Sequence, residues 1–119
     1  MSLGNEPLID RHVHSYLSDL LGPSDYRDLL RHAVVQLSET AACLCNPLGE
    51  AELGTLAHRI KGSLGSLGLV RLTLVAAQIE DRCRHRVLDA QDGLLFHGIV
   101  ADSRVALENL LKPLPPLPA

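Results

Sequence analysis

Four residues of the segment LAHRIKGSLGSLG, spanning 56–68, have the types and the spacing for chemistry: His58, Lys61, Gly62 and Gly65. They fall at i, i+3, i+4 and i+7, so on a helix they share one face. On a helical wheel at about 100° per residue, Leu53, Leu56, Ala57, Ile60, Leu64 and Leu67 gather on the opposite arc. His58 is therefore expected to face solvent at mid-helix, with Lys61 and Gly62 one turn on. Arg59 lies off that stripe. Glycine inside a helix costs roughly 1 kcal/mol relative to alanine. In return, Gly62 places no side chain over the imidazole and Gly65 clears the next turn. Another protein's surface can approach such a patch closely. An imidazole with its ordinary pKa of about 6.5 is a competent nucleophile near neutral pH. A phosphoryl group on its nitrogen would be stabilised by the Lys61 ammonium. The chain lacks a glycine-rich nucleotide loop, a Walker lysine-threonine signature and an evident Mg²⁺ cage. These residues suit a histidine that receives and donates a phosphoryl group without taking one from ATP. The expectation is a carrier, not an enzyme, with no cofactor of its own.

The elements that must hold this face read as helices divided by Gly, Pro and Asn. A first helix is predicted over 7–21, with Ile9, Val13, Tyr16, Leu17 and Leu20 on one stripe. Gly22 is expected to close it and Ser24 to cap the next. The second helix, 25–44, carries Tyr26, Leu29, Leu30, Ala33, Leu37, Ala41 and Leu44, and ends at CNPLG. The third, 50–66, holds the histidine. The fourth, 69–86, turns Leu69, Leu72, Val75, Ala76, Ile79 and Cys83 inward. The fifth, 92–112, uses Leu95, Phe96, Ile99, Ala106, Leu107 and Leu110. No segment alternates with a period of two, so strands are not expected. Short connections make successive helices antiparallel. Residues 1–112 form one domain, and the proline-rich tail 113–119 is expected to be extended or disordered. Its PxxP spacing is read as a chain end.

Composition agrees. The 119 residues suit one domain, and one Phe, two Tyr and no Trp leave an aliphatic core of the kind helix packing uses. A net charge of −3 offers no basic field for nucleic acid. No stretch is long and apolar enough to span a bilayer, and no signal peptide is evident. Cys43, Cys45 and Cys83 are odd in number and suit a reduced, cytoplasmic setting. Cys43 and Cys83 are expected to be small core or half-buried residues, and both tyrosines core fillers. Arg82, Arg84 and Arg86 read as a solvated helix end. Six histidines raise the question of a metal, but His12 and His14 diverge on a helix and the others lack partners in sequence. Scattered surface histidines and no metal site are expected.

The motif AHRIKGSLGSLG, followed by LVRLTLVAAQIED, resembles the signature of histidine-containing phosphotransfer (HPt) domains. The likeness covers 50–86 at motif level and is nearest to the C-terminal HPt domains of bacterial hybrid sensor kinases. It implies an all-α, antiparallel up-down-up-down four-helix bundle with an additional N-terminal helix. It implies that His58 is the phosphoacceptor, that Lys61 screens the phosphate charge and that Gly62 is the small residue beside it. A polar residue on the next helix can orient the imidazole, and Gln78 and Glu80 both stand at about the right distance. Glu80 fits better by position, whereas a carboxylate beside a phosphate would repel it. The implied partners are receiver domains of response regulators or of a hybrid kinase, and the receiver would bring the Mg²⁺. Docking is expected on the exposed stripe with Leu64 or Leu69. The alternative is a helical interaction or dimerisation module without chemistry.

Overall fold

A computed structural model describes residues 8–46 and 48–112. Among them are five α-helices and no strand: α1 (Arg11–Leu21), α2 (Pro23–Leu44), α3 (Glu50–Leu64), α4 (Val70–Arg84) and α5 (Ala90–Leu111). The chain is an all-α, up-down-up-down bundle of α2 to α5, with α1 added at the N-terminal side. α2 packs along α5, α3 along α4, and α4 against α5. The core is aliphatic except for Phe96, the one phenylalanine, which is fully buried among Leu30, Leu37, Ile60, Leu72 and Ile79. Each such side chain contributes roughly 1.5–3 kcal/mol on leaving water. The tail 113–119 lies outside the described residues.

The inward faces of α3 and α4 are those the periodicity predicts, with Cys83 half-buried as expected. Helix ends differ by local chemistry. Pro23 starts α2 in its first turn, where its missing N–H costs nothing, so Gly22 and not Ser24 is the N-cap. The α3 helix stops at Leu64, and Gly65–Leu67 tighten into a 3-10 turn. Gly68 then takes φ +68°, and a Cβ there would stand 3.0 Å from the Val13 Cβ and 3.2 Å from the Asp10 carbonyl. Only glycine fits this reversal. Its carbonyl accepts the Asp10 backbone N–H at 2.7 Å, so the start of α1 is tied to the end of the α3 segment.

Helix α1 is rotated relative to its expected stripe. Tyr16 and Leu20 are each 64% exposed, while His14 is only 6% exposed. The His14 Nδ1 and the Tyr26 hydroxyl are 2.6 Å apart, with the rings edge to face. A hydrogen bond thus outweighs apolar count in setting which face of α1 is buried. Tyr16 is no core filler, and His14 is no surface histidine. Burial pushes the His14 pKa below its ordinary value, against the nearby Leu67 carbonyl and the Asp10 charge.

The α4–α5 connection is held by Arg82, which is not a free helix-end charge. Its Nε donates to the buried Asp92 carboxylate at 2.9 Å and its Nη2 to the Val87 carbonyl at 2.8 Å. Asp92 and Asp89 form a reciprocal capping box at the start of α5. Leu95 and Leu110, expected inside, are partly exposed, and Val100 and Ser103 take the buried positions instead. Cys43, expected half-buried, is exposed.

Candidate functional site

His58 sits at the middle of α3, with its side chain 74% exposed. The helix carries it outward because Leu56, Ala57 and Ile60 occupy the buried arc. Acidic Glu50 and Glu52 lie in the first turn and Lys61 in the last, each favourable to the helix dipole. Gly62 has open space where a Cβ would stand, and so has Gly65, now the first residue of the 3-10 turn. On the face beyond His58, Gly62 and Gly65 therefore leave backbone uncovered beside Lys61.

Helix α4 runs beside α3 and brings Glu80 to the histidine. One carboxylate oxygen lies 3.2 Å from His58 Nδ1, and the other lies 2.9 Å from Lys61 Nζ. Gln78 is exposed on another face of α4. Helical geometry explains the difference: residues two apart point about 200° away from each other. Hydrogen bonding from Lys61 comes first in holding the Glu80 carboxyl below its usual range; burial opposes it, and His58 adds to it. Glu80 is thus a carboxylate at neutral pH, shared between an imidazole and an ammonium.

This arrangement fixes the direction of the ring. A carboxylate accepts, so the nitrogen facing it donates. The neutral imidazole then carries its proton on Nδ1 and its lone pair on Nε2. Lys61 is not a free charge waiting beside the ring, because Glu80 already holds it. The sequence placed Lys61 near an anion bonded to His58; the fold adds that a resident anion occupies it first.

The close approach of α3 and α4 depends on Gly54, a residue that helical spacing alone does not single out. A Cβ at Gly54 would meet Cys83 Sγ at 2.5 Å and Cys83 Cβ at 3.1 Å. The Cys83 thiol donates to the Glu50 carbonyl at 3.3 Å. Gly54 precedes His58 by one turn, and Glu80 precedes Cys83 by one turn, so this contact neighbours the His58–Glu80 pair. A glycine four residues before the histidine was the available signal, but its partner on α4 was not.

Leu64 and Leu69, expected in docking, are buried in the core. Apolar surface near the bare stretch comes instead from a shallow groove lined by Val13, Gly65, Gly68, Val70 and Leu74. Leu74 is partly exposed there. No group of three or more His, Cys, Asp or Glu able to hold a metal occurs among the described residues. No described helix is long and apolar enough to cross a membrane.

A family model described as Hpt domain matches residues 24–114, a stretch that takes in α2 from its second residue, all of α3 to α5 and every residue of the His58 cluster. No curated protein and no solved structure matches the chain.

Proposed function

The chain belongs to the Hpt-domain family, and on that premise we propose that His58 is its phosphoacceptor. Hpt domains are phosphorelay carriers that work with receiver domains of response regulators. In this reading, Nε2 of His58 attacks the phosphorus of a receiver's aspartyl phosphate in line. The N–P bond forms as the acyl-phosphate O–P bond breaks, and the aspartate leaves as a carboxylate. Positive charge developing on the imidazole is shared with Nδ1–H, which Glu80 faces. Glu80 therefore acts as a positioning residue that holds the tautomer and stabilises the charged ring. It does so from the Nδ1 side, while the phosphoryl group sits on Nε2, which reduces the repulsion expected of a carboxylate here. Lys61 screens the phosphoryl oxygens by exchanging part of its contact with Glu80 for them. Return of the group to the same or another receiver aspartate reverses these steps.

The observation that carries the reading is the exposed His58 with Nδ1 held by Glu80 and Nε2 left for a partner. Bare backbone at Gly62 and Gly65 supports close approach of a receiver, and the Val13–Leu74 groove offers it an apolar seat. The Mg²⁺ and the acidic pocket for transfer belong to the receiver in this scheme. The likeness of residues 50–86 to bacterial hybrid sensor kinases supports a place in such a kinase's cytoplasmic C-terminal part.

The test is incubation with a panel of phosphorylated receiver domains. An acid-labile, base-stable label is expected on the chain and absent from His58→Gln. ATP alone should give no label. Full labelling of His58→Gln would refute the assignment, and no labelling from any receiver would favour an interaction module without chemistry.

A further inference from the structure

On the α2 side of His58 stands a cation that the transfer steps leave unused. Arg59 is exposed and overhangs a shallow cleft of about 350 Å³ between α3 and the end of α2. Cys43, Leu48, Ala51, Thr55 and Leu56 line the cleft together with Glu52. We propose that Arg59 and this cleft seat the phosphorylated receiver: Arg59 faces an acidic side chain beside the receiver's phosphoaspartate, and the cleft takes an apolar one. The proposal rests on the phosphocarrier reading of His58.

The charges around His58 single out Arg59. Lys61 is held by Glu80 at 2.9 Å, and Arg84 has Asp81 at 3.6 Å. Among the described residues, no carboxylate oxygen comes within 4.0 Å of the Arg59 guanidinium and no hydrogen bond occupies it. The polar groups on its side of α3 are bonded elsewhere. Glu52 turns back to the Gly49 N–H at 3.4 Å. The Thr55 and Ser63 hydroxyls donate to the Ala51 and Arg59 backbone carbonyls at 2.9 and 2.8 Å, and Gln36 of α2 donates to Ser63 at 2.7 Å. Arg59 therefore keeps its donors and its charge for a partner. The chain as a whole carries −3, while the group to be transferred is an anion. A cation at the transfer site offsets that repulsion locally, and apolar walls strengthen its field. The Arg59 Cα lies about 3.8 Å from that of His58, well inside the screening length of about 8 Å at physiological salt. Its side chain leaves α3 about 100° round from His58, so it meets the rim of the receiver and not the phosphorus.

The cleft is continuous with the His58 face. Ala51 and Thr55, seven and three residues before the histidine, border the surface at His58 itself as well as the cleft. The Val13–Leu74 groove lies past Gly65, at the other end of α3. A receiver resting on both straddles His58 along about 21 Å of helix, the rise from Ala51 to Gly65. A seat at each end holds the phosphorus in line with Nε2 better than one seat alone.

Label transfer from one phosphorylated receiver, timed over a range of receiver concentrations, gives a KM and a plateau rate for each variant. Arg59→Gln is expected to raise KM about fivefold, to leave the plateau rate unchanged and to weaken the dependence of KM on salt. Ala51→Gln fills the mouth of the cleft without adding charge and should raise KM about threefold. Arg104→Gln removes the same charge on α5 and should leave KM at the parent value. Matching circular dichroism spectra check that each variant is folded. An unchanged KM in Arg59→Gln overturns the proposal, and so does a fall in plateau rate alone, which would place Arg59 in the chemistry. An equal rise in Arg104→Gln overturns it as well, by making the effect one of overall charge. An unchanged KM in Ala51→Gln removes the cleft from the seat. No transfer to the parent chain from any receiver removes the phosphocarrier reading and this proposal with it, whereas transfer indifferent to Arg59 removes the proposal alone.

Discussion

Gly54→Ala separates two opposed effects whose sizes can be set against each other. In an ordinary helix interior the change gains roughly 1 kcal/mol. Here the new methyl carbon would stand 2.5 Å from Cys83 Sγ and 3.1 Å from Cys83 Cβ. Rotation about χ1 can move Sγ, at the cost of its contact with the Glu50 carbonyl, but Cβ moves only with α4. The helices must part by several tenths of an ångström. Overpacking of this kind costs typically about 1–3 kcal/mol, so the net expectation is a loss of about 1 kcal/mol. In a domain of this size that lowers Tm by roughly 4 °C. The wedge lies one turn from both His58 and Glu80, so their 3.2 Å contact should lengthen and acceptance of phosphate should slow. Urea unfolding followed by circular dichroism gives the first number, and label transfer from a phosphorylated receiver the second. Cys83→Ala should recover part of both losses in the double variant, giving a favourable coupling energy. A Gly54→Ala chain more stable than the parent by the full helix-propensity gain, with no coupling to Cys83→Ala, would refute the close-approach reasoning.

Three further outcomes follow from buried polar groups. Ser103 is fully buried and its hydroxyl has no hydrogen-bond partner among the described residues, so Ser103→Ala should raise unfolding free energy by about 1 kcal/mol; a loss in urea titration would show that the hydroxyl is paired. Because the folded-state pKa of His14 lies below its ordinary value, the unfolded chain binds the proton more readily. Stability should therefore fall as pH drops below about 6.5, and His14→Phe should flatten unfolding curves measured between neutral and mildly acid pH. Asp92 is held below its ordinary pKa although burial opposes this, because the Asp89 N–H and Arg82 stabilise the carboxylate. Its contribution is present above the ordinary carboxylate range and lost as pH falls through its folded-state value. Arg82→Ala should remove about 2 kcal/mol at neutral pH, the scale of one lost partner at a buried polar group, because Arg82 is partly exposed and Asp92 keeps the Asp89 N–H; a Tm equal to the parent's would contradict that.

Much of the site was legible because helical spacing is a local property. His58, Lys61, Gly62 and Gly65 share a face by arithmetic alone, and the buried arcs of α3 and α4 follow the same arithmetic. The end of α3 was harder, since Gly65 could continue a helix or tighten it. The contact of Gly68 with Val13 and Asp10, residues more than fifty positions away, accompanies the reversal that follows.

The sequence by itself determined the all-α class, the bundle helices and an outward histidine with a lysine one turn on. Periodicity and breakers act within a few residues, so they survive without knowledge of neighbours. Only the tertiary structure decided which α4 side chain meets the imidazole, that Lys61 is already paired, that Gly54 seats against Cys83 and that α1 buries His14 in place of Tyr16. Each of these depends on how two helices are rotated and spaced against each other. That is set by packing over the whole interface, and no window of one helix contains it.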